Sequence, residues 1–260
     1  MNNQRPAVLV TGASTGIGAT YADRFAHRGH DLVLVARDAA RMEALASSLR
    51  QKTGVAIDIL KADLTAPADL ARVEARLRED ERIGVLINNA GAGSHGAFAD
   101  QDPASVEQLI SLNVTSLSRL TAAVVPRFLR QGSGTIVNLA SVLALVPEYP
   151  LGVYGATKAY VLALSQNLQN ELGPRGIYVQ AVLPAATRTE IWERSGRDVN
   201  TLTGVMDVNE LVDAALVGFD RCEAVTLPSL PDAKQWDAFD AARKAMLPNF
   251  ANEHAADRYR

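Results

Sequence analysis

Seven short, almost unbroken apolar runs punctuate the chain: AVLVT (7–11), DLVLVA (31–36), AIDILKA (56–62), VLINNA (85–90), TIVNLA (135–140), YVQAVLP (178–184) and AVTL (224–227). They are rich in β-branched residues and lack strict alternation, which predicts strands of a parallel sheet covered on both faces. Longer segments with apolar residues at helical spacing lie between them. Gly29 and Gly54 follow the first two helical patterns, Gly173 with Pro174 closes one that begins near Tyr154, and Asp102-Pro103 opens another running towards Arg130. These are helix stop and start signals with a physical basis in capping. The alternation, with crossovers too long for hairpins, predicts an α/β fold: a doubly wound parallel seven-stranded sheet with helices on both faces.

No repeat or linker divides the chain, so a single domain is expected over residues 1–260. Residues 190–206 mix polar and apolar positions without a period. An irregular stretch of that length in a compact domain reads as a substrate lid. The segment DAKQWDAFDAARKAMLPNF is amphipathic and predicts a C-terminal helical extension within 230–260, packing on the domain or on a twin subunit.

Composition narrows the class. A 260-residue chain that is 48% hydrophobic and 21% charged fits an average globule with a sizeable core. Its net charge of -3 supplies no basic field, so nucleic acid is not an expected partner. Cys222 is the only cysteine, which rules out an intramolecular disulfide and favours a reducing compartment. It is expected as a small apolar residue between Phe219 and Val225. The N-terminal stretch lacks the charged and apolar regions of a signal peptide, and no run approaches about 20 apolar residues, so a cytoplasmic protein off the membrane is expected. His27 and His30 lie near the end of the first helix without a third ligand, so they are read as surface histidines and no metal site is assigned. His95 stands either in a loop or at the substrate mouth.

Candidate chemistry gathers at two places. After the first strand, VLVTGASTGIG sets Gly12, Gly16 and Gly18 where a strand turns into a helix. Gly12 permits the turn, Gly16 lets backbone approach a pyrophosphate and Gly18 lets the helix lie close to the sheet, while the helix N-terminus offers N–H groups to an anion. Ser14, Thr15 and Ile17 complete the candidate cofactor turn, although a purely structural glycine turn reads the same way. At the end of the second strand, Arg37 stands where an NAD site would place an acid. A guanidinium there pairs with a 2′-phosphate and points to NADP over NAD, unless Arg37 is only solvated or the adjacent Asp38 turns inward. The second place is YGATKAYVLALSQNL (154–168), in which Tyr154 and Lys158, four apart, are either chemistry or the edge of an amphipathic helix.

Together with ADL (62–64), NNAG (88–91), LNV (112–114) and NLAS (138–141), these stretches closely resemble the short-chain dehydrogenase/reductase family in its compact single-domain branch, with a Rossmann-like fold. The resemblance runs from about Ala7 to Leu227. It implies that Asp63 hydrogen-bonds the adenine amino group with the Leu64 backbone alongside. It also implies that Asn89, Ala90 and Gly91 lie near the adenosine ribose and hold the central strand. By the same resemblance Asn113, Ser141, Tyr154 and Lys158 form a catalytic tetrad, with Asn113 interrupting its helix to hold a water that links Lys158 to solvent. The family's P-G-x-x-x-T appears here as PAATRT, so Pro184 and Thr189 match, Ala185 replaces the glycine, and Thr187 competes with Thr189 for the nicotinamide amide.

The residue types suit hydride transfer. A carbonyl that receives hydride must be protonated, and the reverse reaction needs a base. Free tyrosine, with a pKa near 10, needs the Lys158 ammonium and an oxidised nicotinamide to lower it. The expected protein is therefore an NADP(H)-dependent oxidoreductase acting on a ketone or secondary alcohol. VLALVPEYP (142–150) with Ile191 and Trp192 makes the expected substrate apolar, and the chain also looks somewhat like hydroxysteroid dehydrogenases and long-chain 3-ketoacyl reductases. A non-catalytic dinucleotide sensor or scaffold, and an epimerase or dehydratase using the same Tyr-Lys pair, remain the alternatives. A homodimer or homotetramer is expected, as in much of the family.

Overall fold

The computed structural model describes residues 5–93, 96–194, 196 and 198–260. Among them, β1 (Ala7–Thr11), β2 (Leu32–Ala36), β3 (Ile57–Lys61), β4 (Ile83–Asn88), β5 (Gly134–Leu139), β6 (Ile177–Val182) and β7 (Val225–Thr226) form one sheet. Its order is β3-β2-β1-β4-β5-β6-β7 and every pairing is parallel. After β3 at the edge the chain crosses back to lay β4 beside β1. Ligands of open α/β sheets bind outside the carboxyl ends of the strands at such a reversal.

The helices are α1 (Gly16–His27), α2 (Ala39–Thr53), α3 (Pro67–Glu79), α4 (Pro103–Ile110), α5 (Leu117–Gln131), α6 (Val153–Leu172), the short α7 (Ile191–Arg194), α8 (Val208–Asp220) and α9 (Ala233–Ala245). Successive strand residues point to opposite faces, and the core divides accordingly. Val8 and Val10 face Phe25, Met42 and Leu216 of α1, α2 and α8. Ala7 and Leu9 share the other cluster with Val73, Val124 and Leu172 of α3, α5 and α6. Both faces of β1 are buried, which is why its sequence shows no polar alternation.

The chain forms two compact units, the first ending at Pro228 and the second comprising Ser229–Arg260. In the second, Asp232 caps α9 by accepting from the Lys234 N–H at 3.0 Å, and Trp236 lies against Phe239 with ring centroids 5.6 Å apart.

Among the described residues, Pro103–Gln131 matches a membrane span by length and composition alone, a test that the core helix of a folded domain also passes. Polar Asn113, Thr115 and Ser116 break the apolar run in sequence, but α4 and α5 join through a π-helical turn over Ser111–Ser116. Leu120, Val124 and Phe128 of this rod are buried in the core against the sheet.

Candidate active site

The turn after β1 is shaped by close backbone approach. Gly12 and Gly16 have φ of +67° and +55°, in the left-handed region that favours glycine. A side chain at Gly12 would stand 2.8 Å from Asn89 Nδ2 and 3.0 Å from Ala90 Cα, and one at Gly18 would strike Asn89 Nδ2 and the Gly12 carbonyl. Asn89 Nδ2 donates to the carbonyls of Thr11 (2.8 Å) and Gly12 (3.2 Å). The Thr11 hydroxyl accepts from the N–H groups of Asn89 and Ala90, each at 3.0 Å. The end of β4 therefore clamps the turn, and Asn89 and Ala90 act on its shape. Helix α1 then starts at Gly16 with no side-chain cap on its first turn, as an anion-binding helix end requires. Ile17 packs its side chain against the core and leaves its backbone to the turn. Ser14 and Thr15 are partly buried in the same turn. This cradle, closed to any Cβ at Gly12 and Gly18, fits a dinucleotide pyrophosphate.

Arg37 is exposed just beyond β2. Asp38 does not turn inward: it caps α2, accepting from the Arg41 N–H at 3.0 Å. The acid beside Arg37 is thereby occupied at a helix end. Asp63 Oδ1 accepts from the Thr65 N–H (2.9 Å) and hydroxyl (2.7 Å). These bonds hold the Asp63 carboxyl below its usual range, and the nearby Arg37 charge adds to the effect. Leu64 is buried.

The tetrad residues converge below the ends of β5 and β6. Tyr154 lies in the first turn of α6 and Lys158 one turn on, with its Nζ 5.7 Å from the centre of the phenol ring. Lys158 Nζ donates to the Leu139 carbonyl at the end of β5 (2.7 Å). Two residues later the Ser141 hydroxyl donates to the Pro184 carbonyl (3.3 Å) and accepts from the Leu143 N–H (3.2 Å). Asn113 is buried in the π-turn. Its Oδ1 accepts from the Ala92 N–H (2.9 Å), and its Nδ2 donates to the Ala92 carbonyl (3.0 Å) and to Thr157 Oγ1 (3.2 Å). Thr157 completes the link by donating to the Tyr154 carbonyl (2.7 Å). A Cβ on Gly91 would stand 3.2 Å from Asn113 Oδ1 and 3.6 Å from Lys158 Nζ, so this glycine also leaves room for the tetrad.

Burial sets the proton affinities. It pushes the Tyr154 phenol up to about 12, while the Ser141 hydroxyl pulls it down. It pushes Lys158 down to about 8. The lowering expected from Lys158 together with an oxidised nicotinamide concerns the cofactor-bound protein; in the protein alone, desolvation of the phenolate is the larger effect. The chain by itself holds a protonated phenol at neutral pH.

Between β6 and α7, Thr187 is buried. Its hydroxyl donates to the Ala185 carbonyl (2.9 Å), while its own carbonyl accepts from Trp192 Nε1 (2.7 Å). Thr189 instead faces the glycine turn, its methyl group 3.2 Å from where a Gly16 Cβ would lie. Local hydrogen bonding thus turns Thr187 into its own loop and leaves Thr189 towards the cofactor turn. Ala185 costs nothing here, since Cys222 is the one non-glycine residue with positive φ among the described residues. Cys222 itself is exposed, not packed as expected, because it lies in the left-handed turn that ends α8.

Residues 190–206 contain α7, a 3-10 turn at Val199–Thr201 and a bridge from Thr187 to Met206, and Ile191 and Trp192 are partly buried. His95 lies outside the described residues. His27 is exposed, and His30 bonds the Pro6 carbonyl at 2.7 Å. No group of three metal-ligating side chains occurs among the described residues.

Comparison with known proteins places the chain. The short chain dehydrogenase family model matches residues 6–200, so the chain belongs to that family of oxidoreductases. It is similar to a short-chain dehydrogenase from Sphingobium yanoikuyae solved in complex with NADPH. The two are 64% identical with a TM-score of 0.97, over 98% of this chain and 100% of that one. It is also similar to a bulky-bulky ketone specific alcohol dehydrogenase from Comamonas testosteroni, 57% identical with a TM-score of 0.92 over 99% of both chains. Human 17-beta-hydroxysteroid dehydrogenase type 3 is 31% identical over 219 residues, which make up 82% of this chain and 69% of that protein. The match to a rat very-long-chain 3-oxoacyl-CoA reductase spans 60% of that protein's length.

Proposed function

We propose that the protein transfers hydride between NADP(H) and a ketone or secondary alcohol whose two substituents are both largely apolar. The observation that carries this reading is the single face of α6 that sets Tyr154 and Lys158 beneath the end of β5, beside Ser141. The cofactor, when bound, supplies or accepts the hydride at its nicotinamide. Ser141 hydrogen-bonds the substrate oxygen, and the protonated Tyr154 phenol gives its proton to that oxygen as it gains negative charge. The phenolate left behind is stabilised by the ammonium one helical turn away. Asn113 spends its amide on Ala92 and Thr157, fixing the π-turn against α6.

Gly12–Gly18 cradle the pyrophosphate in this proposal, and Asp63 with Asn89–Gly91 flank the adenosine. Pro184 and Thr189 border the nicotinamide, and residues 190–206 form the lid. Arg37 takes the 2′-phosphate, supported by the diversion of Asp38 to the α2 cap. The NADPH-bound relative supports the same cofactor. The apolar substrate is supported by the partly buried stretch Val142–Val146, by Ile191 and Trp192, and by the ketone specificity of the Comamonas testosteroni relative.

The test is NADPH oxidation, followed by absorbance, with ketones of graded size on both sides of the carbonyl. Turnover should rise as both substituents grow. Turnover confined to highly charged compounds or free sugars would overturn the substrate assignment.

A further inference from the structure

Away from the tetrad and the glycine turn, α3 and α5 enclose a crevice of about 390 Å³. In a chain of net charge -3 its charged walls are four arginines, Arg78, Arg119, Arg127 and Arg130, against a single glutamate, Glu74. Its apolar floor is Ala122, Ala123 and Pro126. We propose that this crevice binds a small phosphate-type polyanion, separate from the cofactor cleft.

The key residue is Arg127. It is only 3% exposed, yet no carboxylate holds it. Its Nε donates to the Leu77 carbonyl (2.9 Å) and its Nη1 to Gln131 Oε1 (3.0 Å), both neutral acceptors. Its Nη2 is buried with no partner among the described residues. Burial lowers the Arg127 pKa, and the charges of Asp80 and Glu81, neither of which forms an ion pair with it among the described residues, offset that only in part. An anion in the crevice adds the charge that these two carboxylates supply only from a distance.

The surrounding charges are arranged to share such an anion. Glu74 Oε1 accepts from Arg119 Nε (2.6 Å), and its Oε2 lies 3.6 Å from Arg78 Nη1. One carboxylate thus serves two guanidinium groups, while Arg130 has no ion pair among the described residues. A planar guanidinium matches phosphate oxygens in pairs, so several converging on one crevice favour a multivalent oxyanion over chloride.

The experiment uses the NADPH-saturated protein, so that the glycine turn is already filled, and inorganic pyrophosphate as the probe. Melting temperature is followed against pyrophosphate at constant ionic strength, with chloride making up the balance. A saturable rise is expected in wild type. Arg78→Ala/Arg130→Ala removes two exposed side chains outside the catalytic machinery. It should bind at least about tenfold more weakly, with unliganded melting temperature and ketone reduction unchanged. No saturable rise in wild type, or equal binding by the double variant, overturns the site.

Discussion

Replacing Lys158 with methionine should remove activity and make the apo protein relatively more stable at neutral pH than at alkaline pH. Lys158 is 7% exposed, and burial lowers its pKa from 10.5 to about 8. The folded state therefore disfavours the ammonium, and each tenfold loss of proton affinity corresponds to about 1.4 kcal/mol. The fall from 10.5 to about 8 thus amounts to about 3 kcal/mol. That cost is present in full below pH 8, where lysine is charged in both folded and unfolded chains. It fades as pH rises from about 8 to 10.5, where the unfolded lysine also loses its proton. Methionine carries no such cost at any pH. It does forfeit the bond to the Leu139 carbonyl, about 1.5–3 kcal/mol from the ammonium and about 1 kcal/mol from the neutral amine, and the ammonium's share is already contained in the folded-state pKa. The difference between differences isolates the charge. Urea unfolding of apo wild type and Lys158→Met at pH 7 and near pH 10.5 should show the variant's relative stability fall by about 3 kcal/mol on going alkaline. A gap that stays flat, or that grows with pH, would show that the buried ammonium is not destabilising.

Arg37→Ala should reduce the preference for NADPH over NADH by about 10- to 150-fold, the value of one charge-assisted hydrogen bond, measured as the ratio of the two dissociation constants. An unchanged ratio would remove Arg37 from the cofactor site. Gly91→Ala introduces a methyl group 3.2 Å from Asn113 Oδ1 and should lower kcat about tenfold through displacement of the tetrad, with little change in melting temperature. A wild-type kcat would show that this approach does not constrain the tetrad. Thr11→Val keeps the shape but strips the acceptor from the Asn89 and Ala90 N–H groups, and should cost about 2 kcal/mol or more in urea unfolding together with weakened cofactor binding. Stability within about 0.5 kcal/mol of wild type would mean that the clamp on the turn is dispensable.

How much of this is legible in the chain depends on whether the determinant is local. AVLVT predicts β1 to the residue because both its faces are buried, and Asp102-Pro103 predicts a helix start that the Asp102 side chain does cap. The tetrad can be picked out because its spacing lies within short ordered motifs. The Leu139 carbonyl cannot, since a backbone acceptor leaves no mark in sequence, and neither can the part of Gly91 in making room for Asn113, 22 positions away. Thr157 passes unnoticed inside YGATK, although a polar residue on the inner face of α6 is a signal that could have found it. Spacing shows that an ammonium lies one turn from Tyr154 but says nothing of the desolvation that raises the phenol in the protein alone. Cys222 reads as packed from Phe219 and Val225 three positions to either side, whereas its charged neighbours Arg221 and Glu223 mark the left-handed turn in which it is exposed.

The central claim is that Tyr154 is the proton donor in NADPH-dependent ketone reduction. It is tested most directly by measuring NADPH affinity and single-turnover reduction of a ketone with two bulky apolar substituents, in wild type and in Tyr154→Phe. The account predicts NADPH binding within a few-fold of wild type, since the phenylalanine keeps the ring, and a fall in the reduction rate of at least about 100-fold. Reduction at the wild-type rate by Tyr154→Phe, with NADPH still bound, would contradict it.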